Sequence, residues 1–124
     1  MIELNEMPFD GARPVDGYGA DFFRVGGEVL RGHVLVSPAS VRLWGGLEDR
    51  AALLALAGQV DVLLLGTGKT IARAPADLAA ELDAIGIGVE AMDSAAAART
   101  FNVLLSEGRR VAAALLTVGS GRDA

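Results

Sequence analysis

The residues that come nearest to a recognisable chemistry are Gly66-Thr67-Gly68-Lys69-Thr70. In the phosphate-binding loop G-x-x-x-x-G-K-[ST], backbone N–H groups fold around the anion and the lysine reaches its charge. That motif needs its first glycine five positions before the second, and here the position is Leu63, inside an apolar run. The lysine must also open a helix, whereas the next helix start falls at Pro75. The nucleotide-loop reading therefore fails. The dinucleotide fingerprint G-x-G-x-x-G fails as well, because its third glycine falls at Ile71. Two readings of the turn remain. It is a place where an open α/β sheet accepts a ligand or anion on its backbone N–H groups, or a tight turn at the edge of the core.

A second group lies on the helix expected over Ala95 to Ser106. Ala97, Ala98, Phe101, Leu104 and Leu105 form its apolar stripe, and Arg99, Asn102 and Ser106 fall opposite, with Thr100 nearby. An Arg and an Asn one turn apart could hold a carboxylate or phosphate; equally, they form a solvated helix face. His33 is the only histidine, so a Ser-His-Asp triad has no other base to use. It sits mid-strand beside Arg31 and reads as structural or surface, and nothing at ligand spacing makes it a metal site. The carboxylates Asp61, Glu81, Asp83, Glu90 and Asp93 are scattered over helix and strand ends. No catalytic residue, metal site or cofactor is assigned. Trp44 reads as either a core anchor or an interface residue, with the core favoured.

Composition narrows the class. The 124 residues suit one ordinary domain, expected over residues 1–118, with 119–124 a disordered polar tail. Apolar residues make up 52% and charged residues 22%, a globular balance. Alanine and leucine dominate while aromatics reach 5%, which favours helices on a sheet over a β-sandwich. The net charge of −5 argues against nucleic acid, and Arg109-Arg110 is the only adjacent basic pair. Without cysteine there is no disulfide, thiolate zinc site or cysteine nucleophile, which fits a cytoplasmic location. The mean hydropathy of +0.40 does not imply a membrane span, since no apolar run approaches the ~20 residues a bilayer needs. The acidic start Met1 to Glu6 resembles no secretory or transit signal.

These residues are positioned by a simple order of elements. Residues 1–17, with Pro8, Gly11, Pro14 and Gly17, read as mostly irregular. Tyr18 to Val25 and Glu28 to Val36 read as an antiparallel hairpin about Gly26-Gly27. Ser37-Pro38 ends it, and a linker carries Trp44. A helix is expected over Leu47 to Ala57, capped by Gly58, then a buried strand Val60 to Leu65. A helix opens at Pro75 and runs to about Ile85, followed by a strand Val89 to Met92. The third helix is capped by Asp93 or Ser94, and a last strand covers Val111 to Val118. The second half is a βαβαβ unit with right-handed crossovers, and the hairpin makes the sheet mixed or adds a small layer.

Four blocks carry a family resemblance: Leu64-Leu65-Gly66-Thr67-Gly68, Gly86-Ile87-Gly88-Val89-Glu90, Ala98-Arg99-Thr100-Phe101-Asn102-Val103-Leu104, and Glu107-Gly108-Arg109-Arg110-Val111-Ala112-Ala113-Ala114-Leu115. In these, from about Gly19 to Val118, the chain resembles the small bacterial and archaeal proteins related to mitochondrial complex I assembly factor 3. The mitochondrial relatives carry a targeting segment that this chain lacks. The resemblance implies a three-layer α/β fold with a central mixed sheet and an added β layer. It also implies a non-enzymatic role as a partner of other proteins in assembly, with no catalytic residue carried over. The family's blocks fall on Gly66, Thr67, Gly68, Arg99, Thr100 and Asn102, which become the candidate ligand- or partner-site residues. The alternative is a small-molecule or anion-binding protein, an enzyme included, with its site at the Gly66–Gly68 turn.

Overall fold

The computed structural model describes residues 6–8 and 13–119. In chain order they form β1 (Glu6–Pro8), β2 (Val15–Tyr18), β3 (Phe22–Val25), β4 (Glu28–Arg31), β5 (Val34–Val36) and β6 (Ser40–Leu43). Then follow α1 (Arg50–Leu54), β7 (Val62–Gly66), α2 (Ala76–Ala84), β8 (Gly88–Met92), α3 (Ser94–Ser106) and β9 (Val111–Leu115). A three-stranded sheet has the order β2-β3-β4, and a six-stranded sheet the order β1-β6-β5-β9-β7-β8. The larger sheet is mixed: β7 runs parallel to β8 and β9, while β1, β6, β5 and β9 pair antiparallel in turn.

Three layers follow from the period-two alternation of side chains along the central strands. Leu64, Val111, Ala113, Leu115, Val34 and Val36 point to one face of the large sheet. There they meet Ala97 and Phe101 of α3 and Val15, Phe23, Val25 and Leu30 of the small sheet. Leu63, Leu65, Ala112, Ala114 and Leu35 point to the other face, against Leu53 of α1 and Leu78 and Leu82 of α2. The fold is therefore the expected mixed α/β architecture, with the small sheet and α3 as one outer layer and the other helices as the second.

Several local expectations change. The segment read as irregular contains β1 and the start of β2; residues 1–5 and 9–12 lie outside the description, as do 120–124 of the expected tail. The first hairpin strand is two strands, β2 and β3, folded back at Gly19, whose N–H bonds the Phe22 carbonyl at 3.0 Å. The hairpin about Gly26-Gly27 is present, with Val25 opposite Glu28. Its two glycines have φ of 56° and 88°, the left-handed pair that matches strand twist. Its second strand breaks after Arg31, where the Gly32 N–H turns to the Asp21 carbonyl at 2.8 Å. The chain thereby crosses from the small sheet (β4) to the large one (β5).

The linker before Trp44 is a strand. Pro38 lies in a tight reversal closed by Ser37 N–H to the Ser40 carbonyl (2.9 Å), and β6 returns beside β5 with Val41 in the core. The first helix is shorter than expected. Its intended first turn is held elsewhere, with the Asp49 carboxylate accepting from Gly45 N–H and the Asp49 carbonyl from the Trp44 indole. Pro75 precedes α2 as its cap residue, and β9 ends at Leu115.

Phe101 has no solvent exposure and is surrounded by both sheets. Phe101→Ala is expected to cost about 3–5 kcal/mol of unfolding free energy, read from urea denaturation followed by circular dichroism.

Candidate functional site

The parallel strands β7, β8 and β9 bring their carboxyl ends to one edge. β8 and β9 flank β7 on opposite sides, and the helices that lead to them, α2 and α3, pack on opposite faces. Such an arrangement leaves a crevice at the carboxyl end of the central strand. Gly66, Thr67 and Gly68 sit there.

Their polar groups are taken up inside the fold. Ser94, fully buried at the start of α3, accepts from the Gly68 N–H through Oγ (2.8 Å) and donates to the Leu116 carbonyl (2.6 Å). Its own N–H bonds the Gly68 carbonyl at 2.9 Å, and Leu116 N–H bonds the Gly66 carbonyl at 3.0 Å. Thr67 N–H bonds the Met92 carbonyl at 2.9 Å. The Thr67 hydroxyl accepts from Ala72 N–H (2.9 Å) and faces the Thr70 carbonyl at 2.8 Å, which shapes the loop after β7. A Cβ on Gly66 would lie 2.8 Å from Ser94 Oγ and 2.9 Å from Ser94 Cα, so glycine is required by the approach of α3. The turn is a joint between β7, α3 and the end of β9. The N–H groups of Thr67 and Gly68 are thus engaged by the protein itself and not presented to an anion.

The residues of α3 divide. Asp93 caps the helix, its Oδ1 accepting from Ala96 N–H at 2.8 Å, and it places negative charge at the positive end of the helix dipole. Asn102, grouped by periodicity with the solvated face, instead clamps β2. Its Oδ1 accepts from Val15 N–H and its Nδ2 donates to the Val15 carbonyl, both at 2.8 Å. The amide acts as a one-residue strand on β2 and closes that backbone position. Arg99 is exposed, without an ion pair among the described residues, and Thr100 is half-buried.

Two adjoining depressions lie along this edge. One, about 470 Å³, is lined by Tyr18, Ala20, Gly68, Lys69 and Val118 among others. The second, about 350 Å³, is lined by Val15, Gly17, Ala98, Arg99 and Asn102. Tyr18 and Ala95 belong to both. Of the candidate residues, then, Gly68 faces one depression and Arg99 and Asn102 the other; Gly66, Thr67 and Thr100 line neither. Tyr18 went unnoticed in the sequence, where it reads as one residue of a strand.

The other titratable groups are tied into the fold. His33 Nδ1 accepts from Thr117 N–H at 3.0 Å, which places the ring proton on Nε2, and the ring meets Trp44 edge-on at 6.4 Å. Burial holds the His33 pKa below its ordinary value. Trp44 is in the core, as expected. Asp61 pairs with Arg110, and Arg50 bridges Asp77 and Glu81, its hydrogen bond holding the Asp77 carboxyl below the usual range.

Known proteins share this fold and sequence. The family described as a protein of unknown function (DUF498/DUF598) matches residues 15–116. An uncharacterized protein of Rhodobacter capsulatus is 56% identical over 111 residues, which cover 90% of this chain and 90% of that protein. The NADH dehydrogenase (ubiquinone) 1 alpha subcomplex assembly factor 3 of Danio rerio is 34% identical over 127 residues, covering 97% of this chain and 73% of its own. Among solved structures, a Bordetella pertussis protein described as a Mth938-like domain superposes with a TM-score of 0.74 at 28% identity, covering 98% of this chain and 96% of that one.

Two outcomes are expected from this geometry. Ser94→Ala leaves the Gly68 N–H and Leu116 carbonyl without their buried partner, and should lower stability by about 1–3 kcal/mol in equilibrium denaturation. For His33, the lowered folded pKa means that the unfolded chain takes up the proton first as pH falls. The stabilisation is complete above the unfolded value near 6.5 and is lost as pH drops through the folded value. An NMR titration should place the His33 midpoint below 6.5, and His33→Gln should flatten the stability change on going from neutral to mildly acid pH.

Proposed function

This chain belongs to the DUF498/DUF598 family, and on that premise we propose that it is a non-enzymatic assembly factor that binds other proteins during maturation of a respiratory complex. The observation that carries the reading is the likeness to the assembly factor of Danio rerio, which runs over nearly all of this chain. The chemistry of the side chains agrees. The single imidazole is committed to Thr117, Ser94 is locked between Gly68 and Leu116, and Asp61 and Glu81 are held in ion pairs. Groups so engaged serve the fold and are poorly placed to act as base or nucleophile.

We place this role in the cytoplasm, with proteins and not nucleic acid as partners. The net charge of −5 repels phosphate backbones. No described helix is long and apolar enough to cross a membrane.

The test uses the tagged full chain purified from its native host, together with a strain lacking the gene. Subunits of NADH dehydrogenase should co-purify above background, and membranes of the deletion strain should show partly assembled enzyme and reduced NADH–quinone activity. Recovery of no partner, with normal enzyme in the deletion strain, would overturn the reading.

A further inference from the structure

The two depressions beside α3 join at Tyr18 and Ala95 into one groove, and we propose that this groove receives an extended acidic segment of a partner protein. The proposal rests on the assembly-factor reading and names the surface that does the binding.

Charge selects the occupant. The chain is acidic overall, with 16 Asp and Glu against 11 Lys and Arg, and four of the described arginines sit in ion pairs: Arg24 with Asp16, Arg31 with Asp21, Arg50 with Asp77 and Glu81, Arg110 with Asp61. Lys69 in one half of the groove and Arg99 in the other have no such partner among the described residues. The carboxylate that also lines the groove, Asp93, is turned into the first turn of α3 by its bond from Ala96 N–H. The groove therefore presents two available cations on a protein whose net charge of −5 repels acidic chains as a whole. Two cations brought together along one groove attract an acidic segment to this face.

Shape supports the same occupant. Gly17, Gly68, Ala95 and Ala98 leave the groove with small side chains, so another backbone can approach closely. Tyr18 stands where the two halves meet, 46% exposed, with its ring held edge-on against Phe23 at 6.3 Å. A fixed, half-exposed tyrosine is a common anchor at the centre of protein interfaces. At Val15 both backbone groups are already bonded to Asn102, so the segment binds there through side-chain contacts and not as an added strand.

A phage-displayed library of random peptides, panned against the full chain, supplies the probe. Selected peptides should carry acidic residues flanking an apolar one, and should bind more weakly as salt is raised. On binding, amide NMR shifts should concentrate at Tyr18, Gly68, Lys69, Ala95 and Arg99. The double variant Lys69→Glu/Arg99→Glu should bind them about tenfold more weakly or worse, with an unchanged melting temperature, each tenfold corresponding to ~1.4 kcal/mol. Selection of no peptide, selection of peptides without acidic residues, shifts elsewhere, or equal binding by the double variant would each overturn the proposal. Co-purification separates it from its premise. Partners recovered equally with wild type and double variant leave the assembly role standing and the groove refuted. Partners recovered with neither refute the assembly role, while the peptide data still decide the groove.

Discussion

The strand β7 is buried on both of its faces and bonded along both of its edges. Leu63 and Leu65 have no exposure on one side and Leu64 is 1% exposed on the other, so water must be removed from both faces at once. Its backbone N–H and C=O groups can be satisfied only by flanking strands, and β8 and β9 supply them in parallel. Parallel neighbours need crossovers, and the two available helices are drawn to opposite faces because both faces are apolar. From this one strand follow the central layer, the placement of α2 and α3, and the common edge at which three strands end.

What happens at that edge depends on how closely α3 approaches. The helix starts against Gly66, and Ser94 ties its first residue to the turn and to the end of β9. Among the described residues no buried side-chain nitrogen or oxygen lacks a partner, so the joint is complete in itself. Glycines and hydroxyls that resemble the parts of a phosphate loop here close the core. Any functional surface has to lie outside the joint, where Tyr18, Lys69 and Arg99 reach solvent beside it.

Local pattern was a good guide wherever the deciding contacts are near in sequence. The Gly26-Gly27 turn, the Asp93 cap and the Ala97–Phe101–Leu105 stripe appear as read, and the buried strand expected over Val60 to Leu65 is present over Val62–Gly66. The break at Gly32 was hidden because Glu28 to Val36 reads as one run rich in Val and Leu; what divides it is the Asp21 carbonyl and the presence of two sheets. β6 was hidden by its proline-led turn and its short length. Asn102 was misplaced because helical periodicity knows only one apolar face, while the small sheet covers part of the polar side of α3.

The sequence by itself determined a mixed α/β fold built on one doubly buried strand, and the family to which its blocks belong. Those properties rest on residue period, turn chemistry and runs of a few neighbours, which the chain carries wherever it folds. Only the tertiary structure decided what the glycine turn and the polar face of α3 are for. The deciding bonds join residues far apart, Val15 to Asn102 and His33 to Thr117 across 87 and 84 positions. No spacing rule reaches that far, because such contacts exist only once the layers have packed.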